Sequence, residues 1–458
     1  MKVIICGAGQ VGYGIAERLS QEDNDVSVID TSASLVTHIT ETLDVRGYVG
    51  HGAHPDMLAK AGADQADMII AVTLYDEVNI VACEVAHALF SVPTKIARIR
   101  AQNYLRPEYA DLFSRQNMSI DVTISPEIEV GKMVLRRISF PGATDIVRFA
   151  DDHIAMVAIE CMEDCPVLNT PLQQLSQLFP DLMATVTAIY RNGRLHVARS
   201  TDQLLVGDLA YVICQRDHTR RTLGLFGHEE QEAGRLVIAG GGNIGYYVAR
   251  AIEDVQPKTK VKIIESDAAR AVMVSDRLSH SIVLHGSALD QNILQQADIQ
   301  DADLMVTLTN SDQTNILSAA MAKRMGCKAG MVLINNPSFQ DLTHAIGIDH
   351  HINPRAVTIS RVLQHVRKGR IRSVYAVQKG MAEVIEAEAL ETSPLVGVAF
   401  RDLHLPPGIR IGAIYRDGTV LRPNGELKIK AKDRVVLFAT AAAVRDVEQM
   451  FRVSIQYF

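Results

Sequence analysis

Gly7, Gly9 and Gly12 in "CGAGQVG" (6–12), and Gly240, Gly242 and Gly245 in "AGGGNIG" (239–245), each set out G-x-G-x-x-G behind a short apolar run. This spacing suits a pyrophosphate. The first glycine permits a tight strand-to-helix turn, the second lets the backbone approach the ligand, and the third lets helix and strand pack closely. The pyrophosphate then rests on free N–H groups at the positive end of the helix dipole. Gly7, Ala8, Gly9, Gln10, Val11 and Gly12 form one candidate cradle; Gly240, Gly241, Gly242, Asn243, Ile244 and Gly245 form the other.

An acid follows each turn. Asp30 ends "VSVID" and Glu265 ends "VKIIE". A carboxylate at the end of the second strand accepts both ribose hydroxyls of an adenosine and repels a 2′-phosphate, which favours NAD(H) over NADP(H). The alternative is a solvated strand-end acid. Thr73, with Leu74 after it, ends "MIIAVT", and Thr309 ends "MVTLT". Strand carboxyl ends face the ligand crevice in open α/β sheets, so these hydroxyls and the amides after them reach towards a ribose or pyrophosphate; simple strand caps are the other reading. Arg98 in "KIARIR" is a cation inside an apolar strand. It requires a counter-charge, either a bidentate phosphate or an ion pair with Asp76, Glu77 or another carboxylate. The second copy reads "MVLIN", with Leu333 at the equivalent position, so the two sites differ chemically. His51 and His285, each before a glycine, read as capped or core histidines, with nucleotide contact or pH sensing as the alternative.

The elements that must hold these residues are written twice. "HGAHPDML" (51–58) matches "HGSALDQNIL" (285–294), "ADMIIAVTLYDEVNI" (66–80) matches "ADLMVTLTNSDQTNI" (302–316), and "IDVTISP" (120–126) matches "IDHHINP" (348–354). "AIYRNG" (188–193) matches "AIYRDG" (413–418), each followed by an Asp before an apolar strand. Such matches at nearly constant offset identify a tandem duplication. In each large lobe, short apolar β-rich runs such as Val3–Cys6, Val26–Ile29, Met68–Val72 and Ile96–Ile99 alternate with helical stripes such as Val11, Ile15, Leu19 and Ile244, Val248, Ile252. Strands apolar on both faces between helices imply parallel sheets covered on both sides.

The expected fold is therefore α/β: two tandem Rossmann-like, doubly wound parallel sheets, each followed by a small α+β C-terminal lobe. The expected boundaries are 1–125 and 231–353 for the nucleotide-binding lobes. The small lobes fall at 126–230, which includes a linker beginning near Gln215, and at 354–458. Pro126 and Pro354 each open a helix. Its apolar stripe (Val130, Val134, Ile138; Ile359, Leu363, Val366) either packs on its own small lobe or crosses to pair one lobe with another. Asn192-Gly193 and Asp417-Gly418 read as tight hairpin turns.

The 458 residues are 47% hydrophobic and 22% charged, with a formal net charge of −7. This is a globular composition without the basic face that non-specific nucleic-acid binding needs. The six cysteines form no C-x-x-C pair and read as reduced buried thiols; a disulfide or metal site at Cys161 and Cys165 is the lesser alternative. The early glycine turn argues against a signal peptide, and no apolar run approaches a membrane span. No paired Lys/Asp, Tyr-x-x-x-Lys, nucleophile elbow, metal-ligand cluster or P-loop is legible. A dinucleotide bound twice without such groups reads as a signal that biases shape.

These motifs, with "AKRMG" (322–326) and the paired small lobes, resemble the regulator-of-potassium-conductance (RCK/KTN) family over essentially the whole chain. The resemblance implies a non-enzymatic cytoplasmic regulator, peripheral on the cytosolic face of the inner membrane. It would assemble as a homo-oligomeric ring, a tetramer, on an integral-membrane potassium channel-like subunit of a Trk-type system. NAD(H), or in some members ATP or ADP, would bind the large lobes. Gly7 to Gly12, Asp30, Thr73, Leu74 and Arg98 would form the first site; Gly240 to Gly245, Glu265 and Thr309 would form the second. Regulation of another cation channel or antiporter, and an NAD-dependent oxidoreductase, are the alternatives.

Overall fold

The computed structural model describes residues 1–22, 24–114, 116–229, 232–339, 342–343, 346–348, 350–366 and 371–451. Six parallel strands form the first sheet: β1 (Lys2–Cys6), β2 (Asp25–Asp30), β3 (Arg46–Val49), β4 (Met68–Ala71), β5 (Thr94–Arg98) and β6 (Val122–Ile124), in the order β3-β2-β1-β4-β5-β6. The order reverses beside β1, the switch point of a doubly wound sheet. Helices α1 (Gln10–Gln21), α2 (Ala33–Thr42), α3 (Pro55–Lys60) and α4 (Asp76–Phe90) link the strands, and α5 (Pro126–Ser139) leaves the lobe. β4 is buried along its whole length, as helices on both faces require. β3 is half-exposed "RGYV"; an edge strand has no need of a continuous apolar run, so composition alone does not reveal it.

The first small lobe is an antiparallel sheet of β7 (Asp145–Phe149), β8 (Ile154–Glu160), β9 (Ala184–Arg191), β10 (Arg194–Val197) and β11 (Leu209–Gln215), in the order β10-β9-β11-β8-β7, with α6 (Leu172–Leu178) and α7 (Thr219–Leu225). Asn192 and Gly193 both take positive φ, which a two-residue hairpin loop of the favoured twist demands. The segment expected to be a linker from Gln215 is partly structured. α7 forms within it and buries Leu223, with Phe226 just beyond, in the small-lobe core, because these apolar residues recur at helical spacing. Glu230 and Gln231, within that expected linker, lie outside the described residues.

The second sheet repeats the first: β12 (Arg235–Ala239), β13 (Lys260–Glu265), β14 (Ile282–His285), β15 (Leu304–Thr307), β16 (Ala329–Leu333) and β17 (His350–Ile352), in the order β14-β13-β12-β15-β16-β17. Its helices are α8 (Asn243–Val255), α9 (Ala268–Arg277), α10 (Gln291–Gln296) and α11 (Asp312–Arg324), followed by α12 (Pro354–Val366). The last lobe pairs β18 (Ile371–Val377), β19 (Ala382–Glu388), β20 (Ile409–Arg416), β21 (Thr419–Leu421) and β22 (Arg434–Thr440) in the order β18-β19-β22-β20-β21, with α13 (Val444–Met450). The repeated Arg and Asp of the small lobes form twin ion pairs: Arg191 grips Asp208 through two bonds of 2.6 Å, and Arg416 grips Asp433 at 2.8 and 2.7 Å. All six cysteines are buried free thiols. Among the described residues, no helix is long and apolar enough to cross a membrane.

The chain divides into two compact units, one of Met1–Leu135 with Ala233–Val366 and the other of Arg136–Glu232 with Arg367–Phe458. In the first unit the two large lobes exchange helices. Val362, Leu363 and Val366 of α12 join the core of the first sheet with Val3, Ile5 and Ile15, and Ile359 packs at its margin. The fit is close: a Cβ on Gly14 of α1 would stand 2.4 Å from Ile359 Cδ1, and one on Gly131 of α5 would stand 2.3 Å from the Tyr247 ring of α8. The Pro-opened helices therefore cross between lobes, an outcome their apolar stripes leave undecided. α5 and α12 also approach each other, with Arg361 Nε 4.0 Å from Glu129 Oε1.

His365, in the last turn of α12, has a buried Nε2 without a hydrogen-bond partner. Burial, reinforced by Arg361 and opposed by Glu129, lowers its pKa to about 4. The unfolded chain takes up this proton near 6.5, so the folded state keeps its full stability above that pH. Stability falls as pH drops from 6.5 towards 4 and levels off below it. Between pH 7.5 and 5.5, His365→Leu is expected to lose less urea resistance than the parent protein; equal losses would remove His365 as the cause.

Candidate functional site

The glycine turns form as their spacing requires. Gly7 and Gly240 take φ of +112° and +104°, the left-handed region that favours glycine. A Cβ on Gly12 would stand 1.8 Å from the Gly7 carbonyl oxygen, and one on Gly245 would stand 2.0 Å from that of Gly240. These third glycines are what allow α1 and α8 to start against their strands. At Gly9 and Gly242 an added Cβ would meet nothing within 4 Å. Open space thus lies over the middle glycine of each turn, where a ligand's phosphates would approach. Both middle glycines are N-caps, with no side chain to occupy the amides of the first helical turn.

Around each turn the strand ends converge. Asp30, closing β2, accepts the Ala8 N–H at 2.7 Å and the Ser32 N–H at 2.8 Å. Glu265, closing β13, accepts the Gly241 N–H at 2.7 Å and the Asp267 N–H at 2.9 Å. The carboxylates therefore brace the glycine loops, and each oxygen keeps acceptor capacity for a ribose hydroxyl. On the other side, a Cβ on Gly7 would lie 3.1 Å from the Thr73 nitrogen, and one on Gly240 would lie 3.1 Å from that of Thr309. Gln10, Val11, Asn243 and Ile244 occupy the first turns of α1 and α8, while Leu74 stands exposed beyond β4.

Two buried asparagines complete the framework. Asn79 Oδ1 accepts the Thr73 N–H at 2.8 Å and its hydroxyl at 2.7 Å, and Nδ2 donates to the Arg98 carbonyl at 2.9 Å. Asn315 makes the same bonds to Thr309, at 2.9 and 2.7 Å, and to the Leu333 carbonyl at 2.9 Å. Each ties the fourth strand's end to the fifth and turns the threonine hydroxyl inward. Sequence reasoning singled out the threonines and missed the asparagines, although "DEVNI" and "DQTNI" repeat them. Asn79→Ala strands the Thr73 N–H and the Arg98 carbonyl; the expected cost is about 3 kcal/mol in urea unfolding, and a loss below 1 kcal/mol would refute the staple.

Arg98 ends β5 at this same edge. The ion pair with Asp76 or Glu77 does not form: Asp76 accepts the N–H groups of Arg100 and Ala101 at 3.0 and 2.7 Å, and Glu77 accepts the Tyr104 hydroxyl at 3.5 Å. Glu127 takes Arg100 Nε at 3.1 Å. Arg98 thus has no ion pair among the described residues, and its buried Nε lacks a hydrogen-bond partner. Burial and the charge of Arg100 lower its pKa, while Glu127 and Asp76 partly oppose them. A half-buried guanidinium in this state suits an anion.

The second site carries different cations. Leu333 is buried at the equivalent of Arg98, but Arg270 of α9 donates to the Gly241 carbonyl at 2.8 Å and to Asn243 Oδ1 at 3.3 Å. Its counterpart in α2 is Leu35, so comparing the repeats does not reveal it. His51 Nδ1 accepts the Ala53 N–H at 3.3 Å and its ring stacks on His54, while His285 Nε2 lies 3.2 Å from the Ser266 carbonyl. Both histidines serve local structure. Among the described residues, no three His, Cys, Asp or Glu side chains gather as a metal site.

The TrkA-N domain model matches residues 3–126 and again 236–354, and the TrkA-C domain model matches 384–452. The Trk system potassium uptake protein TrkA of Azorhizobium caulinodans is 55% identical over 458 residues, covering 100% of both chains. That of Halomonas elongata is 40% identical over 462 aligned residues, again covering 100% of both. Among solved structures, the GsuK RCK domain superposes with a TM-score of 0.60 at 18% identity, covering 98% of this chain and 94% of that one. A GsuK channel bound to NAD gives 0.61 at 18% identity, over 98% and 78%. At such identity these neighbours speak to the fold, two tandem Rossmann-like sheets each with an antiparallel small lobe. Matched end to end by its relatives and twice by the same domain model, the chain belongs to the TrkA family of Trk system potassium uptake proteins.

Proposed function

We propose that the chain is the nucleotide-sensing regulatory subunit of a Trk-type potassium uptake system, acting from the cytosolic face of the inner membrane on an integral-membrane potassium channel-like subunit. The observation that carries this reading is Arg98, a half-buried cation without an ion pair, set at the same sheet edge as an open glycine turn. NAD(H) is the ligand this edge suits best: the Gly7–Gly12 turn for the pyrophosphate, Arg98 for its charge, and Asp30 for the ribose hydroxyls. ATP or ADP is the alternative. Gly240–Gly245, Glu265 and Thr309 form the second site, where Arg270 supplies the cation that Leu333 does not. The nicotinamide would supply hydride chemistry in an oxidoreductase; here the nucleotide acts as a signal.

The helix exchange supplies a route for that signal. A ligand on the first turn sits at the start of α1, against which α12 packs; one on the second sits at the start of α8, against which α5 packs. A nucleotide that shifts either helix therefore loads a crossover helix whose chain continues towards a small lobe, with homo-oligomeric assembly as a ring, a tetramer, adding these shifts. Affinity capture from solubilised membranes, with and without NADH, should recover a potassium-transporting membrane protein, and a deletion strain should fail to grow at low external potassium. Normal uptake in that strain would overturn the reading. Steady oxidation of NADH with a small carbonyl substrate would favour an oxidoreductase instead.

A further inference from the structure

The second compact unit, formed by the small lobes, holds a cavity of about 100 Å³ that no step of nucleotide sensing uses. Leu175, Phe179, Val212 and Phe226 of the first small lobe give it an apolar floor, and Arg410 and Arg422 of the second line it. Arg410, on β20, donates Nη1 to the Ala198 carbonyl; Arg422, just after β21, donates Nη1 to the Leu182 carbonyl at 3.3 Å. Neither guanidinium has an ion pair among the described residues. Burial lowers the pKa of Arg410, with only the charge of Asp202 opposing it. The Thr185 hydroxyl, also lining the cavity, is buried without a hydrogen-bond partner.

Burying part of a cation beside apolar side chains is costly without a counter-charge, and a carbonyl hydrogen bond offsets only part of that cost. Here two such cations and an unused hydroxyl surround one apolar space. A ligand that answers all three has a compact hydrocarbon body and a single carboxylate, which two guanidinium groups bind with directional, charge-assisted bonds. A fully hydrophilic anion such as inorganic phosphate would leave the apolar floor unused.

We propose that this cavity is a second ligand site, for a small apolar monocarboxylate, which bridges the two small lobes. The carboxylate takes Arg410 and Arg422 from one lobe, and the hydrocarbon body fills the floor of the other. Binding therefore ties the lobes together and reports a different class of metabolite from the nucleotide edge, which belongs to the other compact unit.

The test uses the full chain, with phenylacetate as the probe, titrated by calorimetry beside uncharged phenylacetamide and inorganic phosphate. Saturable binding of one phenylacetate per chain is expected, with phenylacetamide weaker by at least about tenfold because it cannot pair with the arginines. Arg410→Gln and Arg422→Gln should each weaken phenylacetate by at least about tenfold. Val212→Trp should abolish binding by filling the space. Thr185→Val, which keeps shape and removes an unpaired hydroxyl, should weaken binding severalfold without harming the fold. NADH affinity should stay constant across these variants, which separates loss of this site from unfolding or from failure of the nucleotide reading. The proposal is overturned if phenylacetate shows no saturable binding, if phenylacetamide binds equally well, if either arginine variant binds as the parent does, or if phosphate displaces phenylacetate at equal concentration.

Discussion

Gly9→Ala is expected to remove one nucleotide per chain from the binding stoichiometry while leaving the melting temperature within about 2 °C of the parent. The added methyl group meets no protein atom within 4 Å, and the φ of −65° at Gly9 suits alanine. It projects instead into the space over the turn, where the ligand's phosphates would lie. Gly12→Ala separates the two roles of the turn. Its methyl would stand 1.8 Å from the Gly7 carbonyl oxygen, so α1 must move off β1. Overpacking of this kind costs about 3 kcal/mol, and nucleotide binding should be lost with it. Fluorescence titration with NADH and thermal unfolding of both variants distinguish the effects. A Gly9→Ala protein that binds NADH with unchanged stoichiometry and affinity would sink the assignment of the first site.

The second large effect concerns Arg98, and its two parts have opposite signs. Arg98→Leu places in the first lobe the residue that the second lobe already carries at Leu333. The ligand-free protein should become more stable, by about 1 kcal/mol, because a half-buried cation without an ion pair is replaced by an apolar side chain. Nucleotide affinity at the first site should fall by roughly thirtyfold, the loss of about 2 kcal/mol from a charge-assisted contact. Urea unfolding without ligand and NADH titration measure the two parts separately. A variant that loses stability, or binds NADH as tightly as the parent, would show that Arg98 serves the fold instead of the ligand.

Much of this architecture was legible because its physics is local and written twice. A parallel sheet covered on both faces forces apolar strands such as β4, and a helix starting against a strand forces glycine at fixed spacing, so the runs and G-x-G-x-x-G turns announce themselves. The hairpins at Asn192-Gly193 and Asp417-Gly418 follow from positive φ at both loop positions. Duplication sharpened each signal by repeating it. Edge strands such as β3 carry little signal, since exposed backbone partners ask little of composition. α7 was hidden inside a polar segment because two of its three buried residues, Thr219 and Thr222, are themselves polar, which leaves Leu223 as its one buried apolar residue.

The candidate site divides along the same line. Asp30, Thr73, Glu265 and Thr309 are recognisable by position at strand ends. What those side chains bond to is a matter of three dimensions. The carboxylates brace the glycine loops, Asn79 and Asn315 staple adjacent strands, and Arg270 reaches its loop from a different helix. Asp76, which charge alone offered as a partner for Arg98, is instead engaged by backbone amides, which leaves the guanidinium without an ion pair.

By itself, then, the amino-acid order determined the duplicated α/β plan, the two glycine turns and the acids beside them, since each rests on backbone geometry within a few dozen residues. Only the tertiary structure decided where α5 and α12 pack, which charges remain uncompensated, and that an apolar space lies beside Arg410 and Arg422. Those outcomes depend on contacts between residues far apart in the chain. An amphipathic stripe specifies that a face must be buried, and the shape of the whole molecule selects the surface that buries it.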